Sequence, residues 1–168
     1  MKKYLLSCIM LLSILSAGAQ NNGDIVKVGD TMPAFTIVSD DGTQLRSSSL
    51  KGKVVLVNFF ATWCPPCQKE LAEIQSTLWP KYKDNDKFKL LVIGREHSDS
   101  ELAKYNEKKG FTFPLYPDKN RAVYGAFATS LIPRSYLIGK NGKVIAATSG
   151  YTEEEFAGLM KEIEDALK

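Results

Sequence analysis

Apolar and polar positions alternate along the chain in blocks that predict a definite order of elements. Val54 to Phe60 is a continuous apolar run broken only by Asn58, the pattern of a central strand covered on both faces. Cys67, Leu71, Ile74 and Leu78 then recur at helical spacing, and Pro80 is expected to end or kink that helix. Lys89 to Ile93 predicts a second buried strand, and Ser98 with Glu101 three residues on forms a capping-box pattern that opens another helix. Phe111 to Tyr116 reads as a short strand interrupted by Pro114, and Asp118 is placed to cap a helix carrying Val123, Tyr124 and Phe127. Ser135 to Ile138 and Lys143 to Thr148 flank Gly139-Lys140-Asn141-Gly142, a hairpin signal. Thr152 with Glu155 caps a last helix whose stripe is Phe156, Leu159, Met160, Ile163 and Leu167. Ahead of all these, Phe35 to Val38 and Gln44 to Arg46 predict a small hairpin around Asp40-Asp41-Gly42. The alternation implies an α/β sandwich whose sheet has a parallel half and an antiparallel half.

The start of the chain follows a different pattern. Lys2 and Lys3 precede an apolar stretch from Tyr4 to Ser16, and Ala17-Gly18-Ala19 is a small-x-small site. This predicts a signal peptide over residues 1–19 and an extracytoplasmic, periplasm-like destination. The apolar stretch, about 13 residues, falls short of the roughly 20 needed to span a bilayer. Leu5-Leu6-Ser7-Cys8 only loosely matches a lipoprotein box, because the apolar run continues past Cys8, so lipid anchoring there is not expected. The rest reads as one domain, Val28 to Lys168, with no linker or repeat.

Composition narrows the function. The 168 residues are 44% hydrophobic and 24% charged, which excludes a disordered chain. A formal charge of +3 offers neither a nucleic-acid stripe nor a polybasic membrane patch, and a monomer is expected. Loss of a leader would remove Cys8 and leave only Cys64 and Cys67. A disulfide across so short a loop constrains the unfolded chain little, so stabilisation is a poor reason for the pair.

The pair stands where the first long strand turns into the first long helix, in Ala61-Thr62-Trp63-Cys64-Pro65-Pro66-Cys67. A thiol at a helix N-terminus gains from unpaired N–H groups and the positive dipole end, which stabilise its thiolate. Cys67, one turn on, is spaced to attack a mixed disulfide on Cys64. The two intervening prolines stiffen the turn but remove two N–H donors. The Cys67 amide is then the main donor left for Cys64, whose pKa is expected to fall only to about 6 to 7.5.

The stretch from Val54 to Cys67 resembles the active-site strand and turn of the thioredoxin superfamily, and most closely its exported TlpA/ResA-like thiol-disulfide oxidoreductases. The resemblance covers nearly the whole exported chain. It implies a thioredoxin-like fold with an N-terminal β-hairpin and a helix-strand insertion near Ser98 to Tyr116. It implies a disulfide reductase that needs no cofactor beyond the redox-active Cys64–Cys67 pair, with Cys64 as nucleophile and Cys67 as resolving thiol. The partners implied are a protein thiol or disulfide substrate and a membrane electron donor. Pro133, in Leu131-Ile132-Pro133-Arg134, matches the family's cis-proline, which turns the backbone of Ile132 toward a bound substrate strand. Trp63, Pro65, Pro66, Ile132 and Pro133 are therefore the expected substrate contacts.

Two positions depart from the pattern. Ile132 stands where many relatives carry threonine, and Asn58 stands where thioredoxins proper carry a buried acid, six residues before the first cysteine. The resemblance implies that Glu96, in Gly94-Arg95-Glu96-His97, accepts the proton of Cys67 instead. His97 is the one histidine, and with two thiols it falls short of a four-ligand structural zinc site, so no metal is expected. Arg95 and Arg134 are single charges that could steer an acidic partner but are expected to be solvated. A thiol peroxidase is an alternative, weakened because no P-x-x-x-(T/S)-x-x-C frame precedes Cys64. A non-catalytic metal-binding module is another.

Overall fold

The computed structural model describes residues 23–168, so the expected leader and Cys8 lie outside the described residues. Thr36–Val38 (β1) and Gln44–Arg46 (β2) form the expected antiparallel hairpin, and a 3₁₀ turn, Ser47–Leu50, leads out of it. The main sheet has five strands: Val54–Phe60 (β3), Phe88–Arg95 (β4), Leu115–Asp118 (β5), Arg134–Ile138 (β6) and Val144–Ser149 (β7). They lie side by side in the order β5-β4-β3-β6-β7. β3, β4 and β5 run parallel, and β6 and β7 add antiparallel to them. The sheet therefore has the two halves that the alternation implies.

β3 is buried at all seven positions, and its residues divide between two cores. Leu56 and Phe60 pack with Leu71, Leu102, Phe156 and Ile163 on one face, whereas Val55, Val57 and Phe59 pack with Ile37, Val123 and Phe127 on the other. A strand covered on both sides needs apolar residues at both parities, which is why its sequence is a run. The helices follow from the same bookkeeping: Pro65–Glu73 (α1), Trp79–Tyr82 (α2), Asp99–Lys109 (α3), Ala122–Phe127 (α4) and Glu153–Leu167 (α5). Ser98 and Thr152 cap α3 and α5 as expected, the first in a full capping box.

Three expectations gain detail. Pro80 does not end the helix: a π-helical stretch, Ile74–Leu78, links α1 to α2. Proline has no N–H to return to the preceding turn, and its ring crowds that turn's carbonyl. A locally wider helix just before it accommodates both defects. The strand read from Phe111 begins only at Leu115. Phe111 is held off the sheet by Asn106, and Thr112 by Gln75, while the Phe111 and Phe113 rings stack 4.9 Å apart. Asp118 does cap α4, but from the end of β5: its carboxylate accepts the N–H groups of Val123 and Tyr124 at 3.0 and 2.8 Å.

Arg134 is not solvated. It is 1% exposed and binds Asp24, Tyr136 Oη, Ser130 O and Ser149 Oγ. The guanidinium thus ties the segment before β1 to the start of β6. Removing a buried cation strands its partners. Arg134→Ala should lower the unfolding free energy of the oxidised protein by about 3 kcal/mol, read by urea denaturation. Asp24→Asn, at a partly exposed partner, should cost less.

Candidate active site

Cys64 caps α1. Its backbone is extended and its Sγ accepts the N–H of Cys67 at 3.3 Å, the N-cap to N3 contact that a serine hydroxyl makes in other helices. Pro65 and Pro66 fill the first helical positions and donate nothing. Cys64 and Cys67 are joined as a disulfide. Cys67 is fully buried, Cys64 is 4% exposed and Trp63, just before it, is 64% exposed. Cys64 therefore sits nearer the rim and Cys67 in the wall.

The segment before the disulfide is held from β4. Gly94 lets the chain turn closely there: a Cβ at that position would meet Leu102 Cδ2 at 2.6 Å and His97 Cβ at 3.2 Å. The His97 N–H closes the turn on the Gly94 carbonyl, with Glu96 in the left-handed region at φ 68°. Arg95 then lies between two rings, 5.7 Å from the Trp63 centroid and 5.2 Å from that of Tyr124. His97 turns inward, and its Nε2 accepts the Thr62 N–H at 3.1 Å. Gln68 Nε2 donates to the Thr62 carbonyl at 3.0 Å.

The opposite lip comes from β6. The Ile132–Pro133 bond is cis, and the Ile132 carbonyl oxygen lies 3.8 Å from Cys64 Sγ. Leu131 has φ 69°, and Tyr124 Oη donates to its carbonyl at 2.7 Å. Tyr124 thus touches both lips, through Arg95 on one side and Leu131 on the other. Behind Pro133, its carbonyl accepts the Gly150 N–H at 2.9 Å.

The buried acid of this site is Glu70, which the sequence reading passed over. It lies one turn beyond Cys67 on α1, is 3% exposed, and accepts from Asn58 Nδ2 at 2.9 Å and from Ser135 Oγ at 3.1 Å. Residues three apart on a helix share a face, so the carboxyl and the Cys67 thiol look the same way, toward the sheet. Burial outweighs the two hydrogen bonds and pushes its pKa up to about 7. Asn58 Oδ1 is without a partner among the described residues. A protonated Glu70 would have two local acceptors, Ser135 Oγ and a flipped Asn58 amide. The available signal was helical spacing: an acid inside the stripe Cys67, Leu71, Ile74 cannot face water.

Glu96 does not sit in that place. Its side chain is 48% exposed and pairs with Arg95 at 3.1 Å. The left-handed turn at Glu96 sends its side chain outward and the next one, His97, inward. No cluster of His, Cys, Asp or Glu able to hold a metal occurs among the described residues.

Two cysteines at a helix start, beside a cis-proline on a five-stranded mixed sheet, define a thiol-disulfide exchange protein with the thioredoxin-like fold. A family model described as Redoxin matches residues 27–166, and the chain belongs to that family. It is similar to the thiol-disulfide oxidoreductase ResA of Bacillus thuringiensis (strain Al Hakam), at 30% identity over 96% of this chain and 98% of that one. The ResA of Bacillus subtilis (strain 168) is 31% identical over 77% of this chain and 71% of its own. A solved structure of a putative protein disulfide isomerase from Bacteroides thetaiotaomicron superposes with a TM-score of 0.81. That protein is 39% identical, over 86% of this chain and 92% of its own. The chain is a ResA-like thiol-disulfide oxidoreductase of the thioredoxin superfamily.

Glu70 also makes stability depend on pH. In the folded protein its carboxyl keeps a proton up to about pH 7, whereas an ordinary glutamate gives it up near 4.5. The native state binds more protons between those values, so this contribution is complete at low pH and is lost as the pH rises through 7. Glu70→Gln removes it. The wild-type minus variant difference in unfolding free energy should fall by about 3 kcal/mol between pH 4 and pH 8, measured on the oxidised proteins. A flat difference would contradict a buried, raised carboxyl.

Proposed function

We propose that this chain is an exported reductase of protein disulfides, with Cys64 as the attacking thiolate and Cys67 as the resolving thiol. The supporting observation is the setting of Cys64 Sγ. Of the first α1 turn, Pro65 and Pro66 carry no N–H, and the Cys67 amide is the backbone donor to the sulfur. A thiolate with so little help is weakly stabilised, which favours the disulfide form of the enzyme. Such a pair gives electrons away. A strong oxidant is built the opposite way, with its reduced form stabilised.

In the reaction, the Cys64 thiolate attacks one sulfur of the substrate disulfide. A Cys64–substrate disulfide forms and the other substrate sulfur leaves as a thiolate. Cys67 then loses its proton and attacks Cys64 Sγ. The mixed disulfide breaks, the second substrate thiolate leaves, and the Cys64–Cys67 disulfide holds the oxidising equivalents. Glu70 receives the Cys67 proton: its pKa near neutrality lets it take and return a proton at working pH. Trp63 and the Ile132–Pro133 backbone flank the entering strand, with Pro65 and Pro66 at the helix start beneath it. The Lys2-Lys3 start, apolar stretch and Ala17-Gly18-Ala19 site support export. Regeneration by a membrane electron donor follows from the family resemblance.

Three results test this reading. Equilibration with thiol buffers should give a reduction potential nearer to about −270 mV than to about −120 mV; a value at the oxidising end reverses the direction. Cys67→Ser expressed in the native host should hold proteins through reducible bonds to Cys64, and Cys64→Ser should hold none. Glu70→Gln should slow the resolving step by about tenfold or more at pH 7, in stopped-flow reduction of a model disulfide, while Cys64 alkylation changes little. Equal resolving rates would remove Glu70 from proton transfer.

A further inference from the structure

His97 belongs to neither half of the disulfide chemistry, yet it is 8% exposed beneath the segment that carries the attacking thiol. Its Nε2 accepts the Thr62 N–H at 3.1 Å. An imidazole nitrogen that accepts a hydrogen bond carries no hydrogen, so in this contact the ring is neutral and its hydrogen sits on Nδ1. Nδ1 faces Glu101 Oε2 at 3.8 Å. With Gln68 on the Thr62 carbonyl, both backbone polar groups of Thr62 are engaged by side chains, two residues ahead of Cys64. We propose that His97 is a positioning residue for Cys64: its neutral, Nδ1-protonated ring fixes Thr62 and the approach to the thiol, and a proton on Nε2 breaks that contact and loosens the thiol at acid pH.

The surroundings keep the ring neutral at neutral pH. Burial disfavours the imidazolium most, lowering the pKa, and Arg95 acts in the same direction, whereas Glu101 and Glu96 oppose it. From α3, Glu101, Lys104, Tyr105 and Lys108 line an open notch of about 300 Å³ with Thr62 and His97. From β3, the Phe60 ring lies 6.5 Å away. From β5, the Asp118 backbone bonds to Glu96 and His97, but its carboxylate is committed to Val123 and Tyr124. A nitrogen that must accept from a fixed N–H cannot also bind a proton, so the contact and the charge exclude each other. The inference rests on Cys64 being the attacking thiol and is independent of electron direction, substrate and location.

The contact can be read in the oxidised protein, where the cysteines do not titrate. Nitrogen-15 spectra should show the Nδ1–H tautomer. The Thr62 amide should shift with the His97 midpoint, below about 6.5, and this titration should vanish in His97→Gln, whose amide oxygen accepts but does not ionise. Glu70, titrating near 7, serves as the internal control. In the reduced protein at pH 8, His97→Gln should alkylate at Cys64 within about twofold of wild type. His97→Phe, which fills the space without an acceptor, should fall about fivefold. An Nε2–H tautomer, a Thr62 amide indifferent to His97, or a folded His97→Phe reacting at the wild-type rate would each overturn the inference. Should His97→Phe fail to fold, the tautomer and the Thr62 titration in the wild type still decide it. Absence of disulfide reductase activity in the wild-type protein, with its Thr62 titration intact, would count against the proposed function and leave the contact standing.

Discussion

The antiparallel pairing of β3 with β6 is the constraint on which the thiol site depends. In that pairing the last residues of β3 face the first residues of β6, with Phe59 opposite Arg134 and Asn58 opposite Ser135. The end of the strand that runs into the cysteine turn and the start of the strand that follows Pro133 are thereby brought together at one end of the sheet, between its interior strands. The same register sets the Asn58 amide beside the Ser135 hydroxyl, and these are the two donors that hold Glu70. One ladder of backbone hydrogen bonds thus positions the cysteine turn, the cis-proline lip and the seat of the buried acid.

The parallel pairing of β3 with β4 completes the arrangement. It sets Phe60 opposite Gly94, so the turn after β4 rises beside the turn after β3. Open α/β sheets place function beyond the carboxyl ends of their strands for this reason. Here the third turn works as a brace. Its alternation of outward and inward side chains follows from the left-handed residue at Glu96, which presents Arg95 to Trp63 and His97 to Thr62. Tyr124 carries the connection across to Leu131.

Much of this was legible in the sequence because it depends on local pattern. The β3 run, the capping residues Ser98 and Thr152, the Gly139–Gly142 hairpin and the Cys64–Cys67 spacing each report a nearest-neighbour requirement. The cis-proline was legible only through resemblance. What escaped depends on which face a side chain takes. Glu70 and Glu96 are the same residue type, each close in sequence to an element of the site, and composition cannot rank them. Glu70 is enclosed because α1 presents it to the sheet between Cys67 and Leu71, whereas Glu96 is turned out by the backbone. Arg134 looks like a surface charge until Asp24, over a hundred residues earlier, comes to meet it. Pro80 distorts the helix, as the missing N–H requires, but a helix anchored at both ends by Leu71 and Tyr82 widens rather than ends there.

The two prolines between the cysteines leave α1 with one amide aimed at Cys64, and this has a consequence for how the protein can change. The fold owes little to Pro65 and Pro66 beyond starting a helix that Leu71 and Ile74 hold in place. Every N–H restored at those positions adds a partial positive charge next to the thiolate. Residues 65 and 66 therefore act as a dial on the driving force of the exchange, separable from the sheet, the cis-proline lip and the buried acid. Substitution at two neighbouring codons can thus shift the redox potential of the cysteine pair while the rest of the scaffold stays as it is.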